Sequence, residues 1–369
     1  MTSTSHPLSS SEAFHPISSE SNQEKVLVVG ITGQDAFFLI RHLLFDIKNV
    51  TVYSTLRRHG KTDHSSYKHF FSHSNFGGLR YMDLTDSFSV NAVFKEIKPD
   101  YCFNLAAQSH VHVSHTKPDL TERINCGGII NILEAAREYN KNCRIYSAGT
   151  SEQFGGVSYS PQDLKHPYNP LSPYGSSKVA AEAYCNSYRN SYKLYVVHSI
   201  LFNHESEHRG VEFVTRKITT NVARIKQELD KSETPIPFEL GNIYSKRDWS
   251  HASDFVRAMW LMLQQSTPER YLLSSNETHT IKEFIDLSCE YAEIPDLRWE
   301  IDEDNPLNTK LYSGDHVILK ISKDFYRPAD VELLHGDSTE SREKLDWKPE
   351  IGFKELVRLM VAHDLKTKH

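Results

Sequence analysis

Lys25-Val26-Leu27-Val28-Val29-Gly30-Ile31-Thr32-Gly33-Gln34-Asp35-Ala36-Phe37-Phe38-Leu39-Ile40 decides how the rest of the chain is read. Four consecutive apolar residues, Val26 to Val29, have the pattern of a strand buried on both faces of a parallel sheet. The run breaks at Gly30-x-x-Gly33-x-x-Ala36, and an apolar helix follows, Phe37 to Ile40 with Leu43 and Leu44. In that strand–turn–helix setting Gly30 permits the tight turn, and Gly33 lets backbone N–H groups approach a pyrophosphate at the positive end of the helix. Gly30, Ile31, Thr32, Gly33, Gln34 and Asp35 are therefore candidate dinucleotide contacts.

Working outward, further strand-like runs fall at 50–54, 101–105, 144–147 and 194–201, with helical patterns at 87–97, 120–139 and 173–192. Strands alternating with helices of this length imply right-handed βαβ units and an α/β fold with a doubly wound parallel sheet. Beyond about residue 200 the alternation loosens, and 213–229, 253–265, 281–292 and 353–362 read as helices separated by polar loops. This half is expected to form a smaller C-terminal α/β lobe over the carboxyl edge of the sheet, where open α/β proteins bind ligands. The expected division is a disordered Ser-rich tail over 1–24, a dinucleotide-binding domain with the catalytic residues over 25–200, and 201–369 as mostly substrate lobe. Some of its segments are expected to return to the first domain.

Composition narrows the function. At 369 residues the chain exceeds what one core organises. Lys+Arg 42 against Asp+Glu 48 leaves a net charge of −6, which gives no global support for binding nucleic acid or an anionic membrane. Hydrophobic residues at 38% and charged residues at 24% describe a globular chain, and no apolar run approaches the roughly 20 residues that span a bilayer. Five cysteines without a CxxC pair argue against a disulfide scaffold or a cysteine zinc site, so no metal is expected. With eight serines and no apolar stretch in its first 24 residues, the N-terminus does not read as a secretory signal, and a reducing, cytoplasmic setting is expected.

The dinucleotide is chosen after the second strand, where NAD binders carry an acid for the ribose 2′-OH. Here the strand runs into Leu56-Arg57-Arg58-His59, and two guanidinium groups suit a 2′-phosphate, so NADP is expected. Asp83-Leu84 reads as an adenine contact, with an exposed loop aspartate as the alternative. The small residues of Leu105-Ala106-Ala107-Gln108-Ser109 would admit the cofactor ribose closely and place Ser109 toward a substrate.

Tyr174 and Lys178 stand four apart at the start of a helix and share a face. An ammonium beside a phenol is expected to lower the tyrosine pKa toward working pH. Thr150 would hold the substrate oxygen that loses its proton. Glu152, a strand-end carboxylate two residues on, would point toward the same cleft because side chains repeat every second residue along a strand. Alcohol oxidation needs only Thr150, Tyr174, Lys178 and NADP⁺. Glu152 adds a second base, suited to a proton acidified by the new ketone and hence to β-elimination.

Gly-Ile-Thr-Gly-Gln-Asp, Asn-Leu-Ala-Ala-Gln-Ser-His, Thr-Ser-Glu, Ser-Pro-Tyr-Gly-Ser-Ser-Lys, Leu-Phe-Asn-His-Glu-Ser, Phe-Val-Thr-Arg-Lys, Lys-Arg-Asp-Trp and Tyr-Arg-Pro occur in that order. From about residue 25 to 365 the chain resembles the GDP-mannose 4,6-dehydratase family, within the extended short-chain dehydrogenase/reductase superfamily. The resemblance implies a Rossmann-type sheet and conversion of GDP-mannose to GDP-4-dehydro-6-deoxy-mannose with NADP recycled, feeding deoxyhexose synthesis such as that of fucose or rhamnose. It implies that Tyr174 takes the 4-hydroxyl proton, Glu152 the carbon-5 proton, and that Lys178 also holds the nicotinamide ribose. It further implies cofactor contacts from His204 and Arg209, diphosphate contacts from Asn203, Lys217, Arg247 and Arg327, and a homotetramer or homodimer.

The chain departs from the family pattern in four places, six residues in all. Ala36 stands for the third glycine, His59-Gly60 replace serines that would grip a 2′-phosphate, Leu120 replaces a cofactor-contacting tyrosine, and Gln153-Phe154 replace Leu-Tyr. The second departure keeps NAD as an alternative. Rival readings are a related GDP-sugar epimerase or reductase, a GDP-heptose dehydratase, or a non-catalytic NADP-binding protein. Glu152 separates the dehydratase from a simple epimerase, which has no elimination to drive.

Overall fold

The computed structural model describes residues 23–58, 67–325 and 333–367. The expected disordered tail over 1–24 lies almost wholly outside the described residues, as do His59, Gly60 and Arg327.

Seven parallel strands form the main sheet: β1 (Glu24–Val29), β2 (Val50–Leu56), β3 (Phe76–Tyr81), β4 (Tyr101–Asn104), β5 (Arg144–Ala148), β6 (Val196–Leu201) and β7 (Tyr271–Leu273). Their order is β7-β6-β5-β4-β1-β2-β3, so the winding reverses between β1 and β4. There Val29 pairs with Asn104. Every residue of β4 and β6 is buried, because helices cover both faces of the sheet.

On one face α1 (Gln34–Phe45) supplies Phe38, Leu39 and Leu43 to a core shared with Phe255, Met259 and Trp260. On the other, α2 (Ser87–Ile97), α3 (Gly128–Tyr139) and α4 (Pro173–Tyr192) pack Phe94, Ile132 and Ala181 together. The bounds of α2 and α4 coincide with the periodicity. The single helix expected over 120–139 is instead three pieces: Pro118–Glu122, a π-helical turn Arg123–Gly127, and α3. A tertiary bond competes with helix regularity there, since Asn125 accepts from the Gln108 N–H at 2.9 Å and donates to the Ser177 hydroxyl at 3.0 Å.

Beyond β6 the chain divides its service. Helix α5 (Val214–Asp230), α7 (Ile281–Tyr291) and α8 (Phe353–Leu365) enclose a third core together with a four-stranded sheet. That sheet runs Leu297–Glu300, Lys310–Ser313, His316–Ile321, Phe238–Leu240. Helix α6 (Ala252–Gln264) and β7 pack on the main sheet instead. Among the described residues no helix is long and apolar enough to cross a membrane.

Candidate active site

The cleft begins at the reversal between β1 and β4. Gly30 adopts φ +97°, which L side chains rarely tolerate, and a Cβ there would lie 3.0 Å from the Ala106 Cβ. The loop after β1 thus presses directly on the loop after β4. Helix α1 opens at Gly33 with no side-chain cap on its first turn, leaving the positive end of its dipole turned toward the loop. Thr32, Gly33 and Ala107 are exposed, whereas Ile31 is buried in the core beneath them.

The loop is braced from the other half of the chain. Gln34 donates to the His204 carbonyl at 2.7 Å, and the Ser206 hydroxyl donates to Gln34 at 2.8 Å. His204 places one ring nitrogen 2.9 Å from the Phe202 carbonyl and the other 2.9 Å from the Asp35 carboxylate. Both partners can only accept, so both nitrogens carry protons and His204 is an imidazolium. Its pKa is raised although burial opposes the charge, because Asp35 outweighs burial. Burial likewise pushes Asp35 up, but His204 and Arg209 together hold it below the usual carboxylate range. Arg209 itself pairs with Glu205 at 3.2 Å and covers the Phe213 ring.

The floor of the cleft comes from β5 and α4. Ser172 caps α4 by accepting the Gly175 N–H at 3.0 Å, and Pro173 takes the first helical position, which sets Tyr174 in the first turn. A Cβ on Gly175 would lie 2.5 Å from the Glu152 carbonyl oxygen, so glycine alone lets the helix press on the Glu152 turn. Strand β5 ends at Ala148, and Ser151–Gln153 is a 3₁₀ turn capped by Thr150. Strand alternation therefore does not align Thr150 with Glu152. The turn does so instead: Thr150 and Glu152 both act on the Tyr174 phenol, the first lowering its pKa and the second raising it.

The expected depression of the Tyr174 pKa is overturned. Burial pushes the phenol up to about 12; the Thr150 hydrogen bond and Arg209 pull it down, whereas Glu152 and Asp35 push it further up. The Lys178 ammonium, 5.9 Å from the centre of the Tyr174 ring, is instead turned to the Ala148 carbonyl, to which it donates at 2.6 Å. Burial lowers Lys178 to about 8, against weaker support from Cys185 and Asp35.

Other expected contacts scatter. Arg57 and Arg58 are exposed at the end of β2. The Asp83 carboxylate accepts from the Thr85 N–H and hydroxyl at 2.9 and 2.8 Å, serving its own turn, and Leu84 is buried against Gly128. Gln108 turns its amide toward Thr121 and His110, while Leu105 and Ala106 are half-buried and Ser109 is exposed. On the lobe side Lys217 lies 3.3 Å from the centre of the Phe325 ring, Asn203 pairs with Trp249, and Arg247 pairs with His279 in a two-residue ladder. Sequence reasoning missed the buried side chains behind the floor, Gln153, Glu182 and His198. The available hints were the position of Glu182, one turn after Lys178, and the departure from the family pattern at Gln153.

A phenol and an ammonium one helical turn apart, under a glycine loop at the reversal of a doubly wound sheet, define an extended short-chain dehydrogenase/reductase. The profile of the GDP-mannose 4,6 dehydratase family matches residues 27–360. GDP-mannose 4,6 dehydratase 1 of Arabidopsis thaliana is 41% identical over 92% of this chain and 89% of its own length. The human GDP-mannose 4,6 dehydratase is 38% identical over 92% of this chain and 91% of its own. Among solved structures, Thermus thermophilus UDP-glucose 4-epimerase in complex with NAD superposes with a TM-score of 0.74 at 24% identity, covering 93% of this chain and 100% of that one. This chain belongs to the GDP-mannose 4,6-dehydratase family.

Proposed function

We propose that this chain dehydrates GDP-mannose to GDP-4-dehydro-6-deoxy-D-mannose, with NADP as a recycled cofactor. The observation that carries the reading is the buried Tyr174 phenol with Thr150 and the Glu152 charge both acting on it, Thr150 lowering its pKa and Glu152 raising it.

A nicotinamide dinucleotide fits the residues present. The Gly30–Ala106 approach leaves no room for a Cβ, and Asp35 Oδ1, Asn104 Oδ1 and Asn203 Oδ1 are buried acceptors with no hydrogen-bond partner among the described residues. Gly30 to Asp35 and the first turn of α1 would hold the pyrophosphate, Leu105 to Ser109 and Lys178 the nicotinamide end, with His204 and Arg209 alongside. Arg57 and Arg58 favour a 2′-phosphate and hence NADP. When bound, the cofactor takes hydride from carbon 4 of the mannose and returns it to carbon 6.

Tyr174 takes the 4-hydroxyl proton while Thr150 holds that oxygen. Phenol and phenolate must interconvert at neutral pH, so the charges that complete the site have to bring Tyr174 down from about 12. Glu152 then removes the proton that the new ketone acidifies at carbon 5. The carbon-6 hydroxyl leaves as water, its proton delivered from the Thr150–Glu152 neighbourhood, and the proton taken up by Tyr174 balances the sequence by replacing the one lost from carbon 5. Ser109, Asn203, Lys217, Arg247 and Arg327 are assigned to the substrate, the cations gripping a diphosphate that a net-acidic protein cannot otherwise attract. The five cysteines are free and buried, which supports a reducing, cytoplasmic setting. Exposed Tyr184 and Tyr192 on α4 offer a face for the homodimer or homotetramer.

Purified protein given GDP-mannose and NADP⁺ should make a keto-sugar with no net change in reduced cofactor. Continuous reduction or oxidation of the cofactor would replace this reading with a dehydrogenase or reductase.

A further inference from the structure

Gln153 is wholly buried directly behind the catalytic turn. Its Oε1 accepts the Thr150 backbone N–H at 3.0 Å, and its Nε2 donates to Glu182 at 2.8 Å. These partners fix the amide orientation without ambiguity, because a backbone N–H only donates and a carboxylate only accepts. The same Oε1 faces His198 Nε2 at 3.1 Å, so that nitrogen must carry the proton. His198 Nδ1 is then the acceptor, 3.1 Å from the Ser147 hydroxyl of β5.

His198 is neutral: burial first, then Lys178, Arg270 and Arg189, drive its pKa well below the ordinary imidazole value. At the far end, Glu182 pairs with Arg270 at 2.8 Å and accepts the Tyr168 hydroxyl. Arg270 also donates to that hydroxyl. One buried amide therefore joins β5, β6, α4 and the segment before β7 to the backbone of Thr150. A leucine at this position could serve none of these three partners. It would leave the Thr150 N–H, the His198 N–H and a carboxylate oxygen short of bonds in a dry interior.

We propose that Gln153 is a positioning residue for the dehydration. Acting through the Gln153–His198–Glu182 network, it locks the Thr150–Gln153 turn so that Thr150 and Glu152 keep their aim beside Tyr174. The inference rests on the proposed reaction. It predicts a defect in turnover, not in substrate capture, because the network touches neither cofactor loop nor diphosphate cations. It also predicts that the amide and the carboxylate can exchange places. A carboxylate at position 153 would accept from Thr150 and His198, while an amide at position 182 would donate back to it and accept from Arg270.

The test is the series Gln153→Leu, Gln153→Glu and the double variant Gln153→Glu/Glu182→Gln. Each is checked for a cooperative melt, then assayed for kcat and KM with GDP-mannose and NADP⁺. Gln153→Leu should lose on the order of 10²-fold in kcat, the scale of a small misplacement of reacting groups, with KM changed less than about threefold. Gln153→Glu sets two carboxylates in contact and should fall similarly, and the double variant should recover most of the loss. Wild-type kcat in Gln153→Leu would overturn the inference. So would a folded double variant no better than Gln153→Glu, or a loss confined to KM. Failure of the wild-type protein to dehydrate GDP-mannose would strike the proposed function instead.

Discussion

The proposed catalytic residues and the proposed ligand contacts sit in different surroundings. On the floor, Thr150, Tyr174 and Lys178 are 8%, 9% and 6% exposed, and Thr150 and Lys178 are bonded to backbone. Among the proposed ligand contacts Asn203, Lys217 and Arg247 are only half-buried, and Arg57 and Arg58 are exposed. Proton transfer demands fixed geometry and shifted pKa values, which only a dry, packed site supplies. Gripping a diphosphate needs charge within reach, and long side chains at a wet rim provide it.

Breaking the floor should therefore cost turnover, and breaking the rim should cost affinity. The largest expected effect is on Glu152→Gln and Tyr174→Phe, which should lose on the order of 10² to 10⁴-fold in kcat while calorimetry shows GDP-mannose still bound. The pH profile comes next. Lys178, depressed by burial to about 8, is an ammonium below that pH, so activity should fall as pH rises through it. The unfolded chain keeps this lysine protonated up to about 10. Between those two values the unfolded state binds more protons, so the lysine's contribution to stability should rise while activity falls. Opposite trends in rate and melting temperature would be the signature. Arg247→Ala should raise the GDP-mannose KM about tenfold with kcat little changed, in line with losing one charge-assisted bond at the rim. Asp83→Asn should be nearly silent in kcat and KM, and should shift stability by at most about 0.5 kcal/mol, because an amide oxygen can still accept from the Thr85 N–H and hydroxyl.

How much was legible follows the same division between local and tertiary causes. Val26 to Gly33 could be read because strand, turn and helix are written in consecutive residues, and α2 and α4 could be bounded because their periodicity has nothing to contest it. The break at Arg123–Gly127 could not, since it depends on Asn125 finding Gln108 and Ser177. The aim of Glu152 was expected for the wrong reason, a strand continuing where a capped turn forms. The sign of the Tyr174 shift was missed because residue spacing carries no information about burial or about where the Lys178 ammonium points. The lobe sheet was missed strand by strand, its members being three to six residues long. Gln153 shows the limit most clearly. In sequence it is one polar residue between Glu152 and Phe154; its side-chain partners are Thr150, Glu182 and His198, brought together by the fold.

The central claim is that a carboxylate beside a redox phenol closes oxidation and reduction within one sugar. The most direct measurement is the mass spectrum of the product made from GDP-mannose and NADP⁺ in deuterium oxide. The account predicts loss of one water and gain of a single solvent deuterium at carbon 5, with the carbon-4 hydrogen recovered at carbon 6. A sugar nucleotide that keeps its oxygen, or that loses water without taking up solvent deuterium at carbon 5, would contradict it.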